Sequence, residues 1–190
     1  MRSGHLETDF ADGTYVFRLA WGGLIELQEH CQAGPYAIVE RLQRNQWYVD
    51  DIAQTIRLGL IGGDEKMNPI KANKLVTRYV RERPLAENVK LALTILLVAL
   101  FGGESLEPIE QKKSAEKTEE IQTPDGKITY QGIIAAGAVM GFTPAQIKDM
   151  SVWEFMASFE GYVKANSPAD EGLSKKEKDD LFEFVQELES

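Results

Sequence analysis

Two histidines and one cysteine carry most of this chain's capacity for metal or nucleophile chemistry. His5 lies near the start, and His30 is adjacent to Cys31. Neighbouring side chains on a helix point about 100° apart, whereas a zinc site needs three or four converging ligands. A Cys–His nucleophile pair also needs its two members brought together from separate positions. The expected reading is a surface histidine beside a buried, inert thiol. Gly59-Leu60-Ile61-Gly62-Gly63 has the glycine content of a phosphate loop but follows a helical pattern, and no Gly-Lys-Ser/Thr comes after it. It reads as a helix end and turn. Asp50-Asp51 and Asp64-Glu65 fall at helix ends, where carboxylates serve as caps or face the dipole, with no calcium-loop spacing around them. No catalytic set, metal site or cofactor site is assembled, so an enzyme is not expected.

Aromatic chemistry is more prominent. Val152, Phe155, Phe159, Tyr162 and Val163 form one helical stripe, with Trp153 and Met156 at its margins. Phe155 and Phe159 suit the core of a small domain. Trp153, Met156 and Tyr162 suit an exposed patch, because Trp, Tyr and Met are common partner anchors. The two-helix outline around Pro144–Ala165 resembles a DNA-reading motif. Yet it presents Trp153, Glu154, Phe155, Phe159 and Glu160 where a groove reader needs Arg, Lys, Asn or Gln.

Charge supports a protein partner. The 190 residues carry a formal net charge of -9. Met1–Phe101 holds 12 basic and 12 acidic residues, so the imbalance belongs entirely to Gly102–Ser190, with 9 basic and 18 acidic. That sign repels nucleic acid and anionic membrane and favours a basic or amphipathic polypeptide. A single cysteine forbids an internal disulfide and fits a reducing compartment. The first residues lack a secretory pattern, and the longest apolar run, Leu91–Phe101, is too short for a membrane span. A cytoplasmic location is expected.

The elements that must position these residues are mainly helical, giving a mainly α fold of the α+β kind. Leu6–Phe10 and Tyr15–Ala20 flank Ala11-Asp12-Gly13-Thr14, a hairpin signal in which Asp-Gly supplies the positive-φ residues. Helical periodicity follows over Leu24–Gln32, Tyr36–Gln43, a segment capped by Asp50 or Asp51 and running to Gly62-Gly63, a segment around Ile70–Val80, and a long helix from Pro84 to Phe101. Glu104–Gly126 is charged and nearly free of large apolar residues, as in a flexible linker. Three capping boxes follow: Thr143 with Gln146, Ser151 with Glu154, and Ser174 with Glu177. The organisation read from these signals is a hairpin-plus-helix domain at 1–103, a linker at 104–126 and an acidic small helical domain at 127–190.

Two segments carry a family resemblance. In the first, Asp12-Gly13 and Tyr15-Val16-Phe17-Arg18-Leu19 precede Leu24-Ile25-Glu26-Leu27-Gln28 and then Trp47 through Asp50-Asp51-Ile52. Ile56-Arg57-Leu58-Gly59-Leu60-Ile61-Gly62-Gly63 and Arg83-Pro84-Leu85-Ala86-Glu87 complete it. This order resembles the N-terminal tail-associated protein of gene transfer agents and siphophages, grouped with tail assembly chaperones. The second, from Gly141-Phe142-Thr143-Pro144 through Ser151-Val152-Trp153-Glu154-Phe155 to Glu160-Gly161-Tyr162, is similar to another short tail-assembly-chaperone type.

The resemblance implies a non-enzymatic chaperone of tail assembly without cofactors. Its implied partners are the tape measure protein and the major tail tube protein, with self-association open and with neither nucleic acid nor membrane bound. The alternative is a structural tail tube or tail-end component of the virion. The residues expected to meet a partner are Trp153, Met156, Phe159 and Tyr162 in the second half and Trp47, Tyr15 and Phe17 in the first.

Overall fold

A computed structural model describes residues 4–102 and 127–166. The expected linker, the Ser174 capping box and the expected last helix at 175–188 lie outside the described residues. The fold is mainly helical behind an N-terminal antiparallel hairpin.

Strand β1 (His5–Phe10) pairs with β2 (Gly13–Arg18), with Phe10 opposite Gly13 and Leu6 opposite Phe17. The corner therefore consists of Ala11 and Asp12, and the positive φ (57°) falls on Ala11, not on the Asp-Gly pair. Burial of Phe10 fixes this register. Its ring meets Tyr15 and Phe17 edge-on at 6.1 and 5.8 Å, and a slip of one residue would turn it outward.

Five helices follow: α1 (Trp21–Cys31), α2 (Pro35–Gln43), α3 (Val49–Gly63), α4 (Pro69–Val76) and α5 (Ala86–Phe101). A π-helical turn, Thr77–Arg81, extends α4. Pro35 and Pro69 occupy first-turn positions, where a missing N–H costs nothing. Neither Asp50 nor Asp51 is the N-cap of α3, as the sequence suggested. Tyr48 holds that position, and Asp51 sits at the third helical position and accepts the Tyr48 backbone N–H at 2.9 Å. The carboxylate reaches back one turn, which leaves it buried with Arg41 3.4 Å away.

Helix α3 is the centre of the body. Ile52, Ile56 and Leu60 are sealed against Phe17 and Leu19 of the hairpin segment, Leu24 and Leu27 of α1, and Ile95 and Leu96 of α5. Each such side chain contributes about 1.5–3 kcal/mol of burial. The last turn of α3 lies directly on β2. A Cβ at Gly63 would stand 1.9 Å from the Val16 carbonyl oxygen, so only glycine permits this backbone approach.

The later helices are α6 (Tyr130–Val139), α7 (Pro144–Asp149) and α8 (Val152–Asn166). The two capping boxes expected here, Thr143 with Gln146 and Ser151 with Glu154, both form. Gln146 N–H donates to Thr143 Oγ1 (3.3 Å) while Thr143 N–H donates to Gln146 Oε1 (2.9 Å). Glu154 N–H donates to Ser151 Oγ (3.2 Å) and Ser151 N–H to Glu154 Oε2 (2.7 Å). Ile133, Ile147 and Phe155 join the same buried cluster as the first five helices. Trp21 N–H donates to the Met150 carbonyl at 3.0 Å, and the Gln28 amide exchanges two hydrogen bonds with the Ile128 backbone.

Candidate protein-interaction surface

Helix α8 carries four of the residues expected to meet a partner, and its geometry separates them. Trp153 and Tyr162 are nine residues apart, which at about 100° per residue puts them on opposite sides of the helix. They are 38% and 36% exposed but do not form one patch. Tyr162 continues the stripe begun by Phe155. That stripe passes from buried Phe155 through half-buried Phe159 to exposed Tyr162, losing its cover towards the end of the helix. Met156 is half-buried against the core.

The first-half candidates divide differently. Phe17 is 1% exposed and belongs to the core, so a partner reaches it only if the hairpin lifts away. Tyr15 is half-buried, and its hydroxyl donates to Asp12 Oδ1 at 2.6 Å. That bond to a carboxylate, with burial and the nearby charges of Asp12 and Tyr79 adding to it, pushes the Tyr15 hydroxyl up to about 12. Trp47 is half-buried, but the adjoining Tyr48 is 65% exposed, with the Arg41 guanidinium 5.0 Å from its ring centroid. Trp47, Tyr48 and exposed Val49 thus enter α3 as a short aromatic and aliphatic ledge.

Sequence reasoning missed an exposed ring pair. Tyr36 on α2 and Phe101 at the end of α5 meet edge-on at 6.0 Å. Sixty-five positions separate them, and no local pattern announces the contact.

The residues with metal or nucleophile chemistry do not converge. His30 faces Glu26 (3.6 Å) and Arg57 (3.3 Å) on the surface. Cys31 turns the other way and donates to the Asp50 carbonyl at 3.5 Å. Burial, aided by the negative charges of Asp51 and Asp50, pushes its thiol up to about 12. Among the described residues no group of three or more His, Cys, Asp or Glu side chains is placed to hold a metal ion. Among them, too, no helix is long and apolar enough to cross a membrane.

Arg18 links the hairpin to the later helices. One of its terminal nitrogens donates to the Asp149 carbonyl at 2.6 Å and to Glu154 Oε2 at 3.1 Å. Burial raises the Glu154 carboxyl, but the Ser151 N–H and hydroxyl and the Arg18 cation outweigh it, and the net direction is downward. The exposed aromatics therefore stand at separate sites, and Arg18–Glu154 is one of several ion pairs among the described residues.

Residues 3–102 match the family described as "Phage tail tube protein, GTA-gp10", more than half of the chain. The chain belongs to that family. It is a phage tail component in the sense of that family's description, which agrees more closely with the structural alternative than with the chaperone reading. Neither a curated protein nor a solved structure matches the chain.

Proposed function

We propose that this chain is a non-enzymatic structural component of the tail tube or of its end, working through contacts with other tail proteins. The observation that carries this reading is the family match, which spans nearly all of the hairpin and five-helix body. Its exposed aromatics support it as well, since Tyr48 and the Tyr36–Phe101 pair offer apolar area to neighbouring subunits. Antibody labelling of purified particles in the electron microscope should decorate the tail. Particles with unlabelled tails and free antigen only in the producing cells would refute the reading.

A second reading, a tail assembly chaperone, is supported by a separate observation. The uncovered end of the α8 stripe and exposed Trp153 lie within the segment that resembles a short chaperone type. Exposed apolar side chains at the end of such a stripe offer contacts to an amphipathic helix, as the tape measure protein would supply. Co-expression with a tape measure fragment should then raise the soluble fraction of that fragment and recover both in one complex. A purely structural component leaves its solubility unchanged.

A further inference from the structure

Net neutrality of the first half conceals a strongly polar arrangement. Between Lys66 and Lys90 there are seven Lys or Arg residues and two Asp or Glu, a local net of +5. These residues form α4, the π-helical turn and the start of α5. Ile70, Lys74 and Arg78 recur at four-residue steps along the exposed side, and Lys71 lies next to them. Ile70 is 70% exposed, the most exposed large apolar residue described. Arg78 and Arg83 hold their guanidinium carbons 5.3 and 5.2 Å from the Tyr79 ring centroid. Neither forms an ion pair with any described carboxylate, whereas nearby Arg81 is engaged by Asp50 at 2.6 Å. The face thus presents two cations fixed on one ring, lysines beside them and an uncovered apolar side chain.

We infer that this face docks the acidic C-terminal segment, residues 167–190, of a second copy of the chain. That segment carries eight Asp or Glu against three Lys or Arg, a net of -5 that balances the face. It also holds Leu181, Phe184 and Leu188 at helical spacing, which supplies an apolar counterpart for Ile70. The other acidic stretch, 104–126, is a weaker match: its net charge is -4, and its large apolar side chains are only Leu106, Ile109 and Ile121, against Leu173, Leu181, Phe182, Phe184, Val185 and Leu188 in 167–190. The pairing joins different surfaces of the two copies, so it closes as a two-fold dimer where two copies exchange segments and otherwise runs head to tail into a ring or a filament. It stands apart from the question of whether the chain stays in the finished particle.

The test is sedimentation velocity of the full chain over a range of protein concentrations, combined with zero-length carbodiimide cross-linking of mixed isotope-labelled and unlabelled protein. At low ionic strength the chain should self-associate. Cross-links between Lys71 or Lys74 of one copy and carboxylates of 177–189 of another should appear. The double variant Arg78→Glu, Arg83→Glu, at exposed positions, should bind about tenfold more weakly or worse, as should the wild type in ~0.5 M salt. Mixing it with Asp179→Arg, Asp180→Arg should restore association. A chain that stays monomeric, association untouched by the Arg78 and Arg83 reversal, or cross-links confined to single copies would overturn the inference. So would a face that retains duplex DNA in preference to a second copy.

Discussion

Arg18 and Glu154, 136 positions apart, close an ion pair at 3.1 Å that ties strand β2 to the first turn of α8. Glu154 also caps α8 through the Ser151 N–H. The folded carboxyl lies below its ordinary value, so its stabilising contribution is complete above the unfolded value of about 4.3 and is lost as pH falls through the folded one. Glu154 is 43% exposed, and solvent screening keeps the effect near 1 kcal/mol. Glu154→Gln should lower stability by about that amount at pH 7 and flatten the decline in acid. Urea titrations between pH 7 and 3 measure both, and parallel pH curves for variant and wild type would refute the assignment.

Gly63→Ala should be among the most damaging single substitutions. A methyl group there would stand 1.9 Å from the Val16 carbonyl, so one backbone must move off another, costing about 3 kcal/mol. Gly161 in α8 is the contrast, since nothing lies within 4 Å of an added Cβ. Gly161→Ala should stabilise α8 by about 0.5–1 kcal/mol. Thermal denaturation of both variants checks the difference in sign.

Local signals in the chain gave the hairpin, the helices and the capping boxes of α7 and α8. Thr143–Gln146 and Ser151–Glu154 are legible because a cap is a contact over three residues. The hairpin corner was misplaced by one residue, since the burial of Phe10 outweighs the preference of Asp-Gly for the turn. Asp51 does cap α3, but from the third helical position: its carboxylate accepts a backbone N–H three residues back, a geometry that residue type alone does not distinguish from an N-cap. The long-range relations were out of reach. Nothing near Arg18 marks Glu154 as its partner, and nothing near Tyr36 marks Phe101. Phe17 and Tyr48 show the limit for the site, because aromatic identity alone does not separate a core ring from an exposed one.

Cys31 should be slow to react in the folded chain. With its thiol near 12 against about 8.5 when free, the ionised fraction at pH 8 is small, and alkylation should be at least about a hundredfold slower than in urea. Because the folded value is raised, the associated stability holds below about pH 8.5 and is lost as pH climbs through the folded value. Iodoacetamide labelling followed by intact mass reads the rate, and equal rates in buffer and urea would contradict the burial.

Surface and core aromatics should separate cleanly. Tyr48→Ala and Trp153→Ala should change stability by less than about 1 kcal/mol while lowering recovery of other tail proteins in pull-downs. Phe17→Ala should cost about 3–5 kcal/mol and affect binding only through unfolding. Chemical denaturation beside each pull-down distinguishes the two classes, and unchanged recovery with both surface variants would remove them from the interface.

The most direct test of the structural reading is quantitative mass spectrometry of purified particles with isotope-labelled standard peptides from residues 3–102. A tail tube or tail-end component should be present at a fixed copy number per particle, in constant ratio to the other tail proteins across preparations. Abundance in the lysate with none in the particle would contradict it and leave the chain a transient assembly factor.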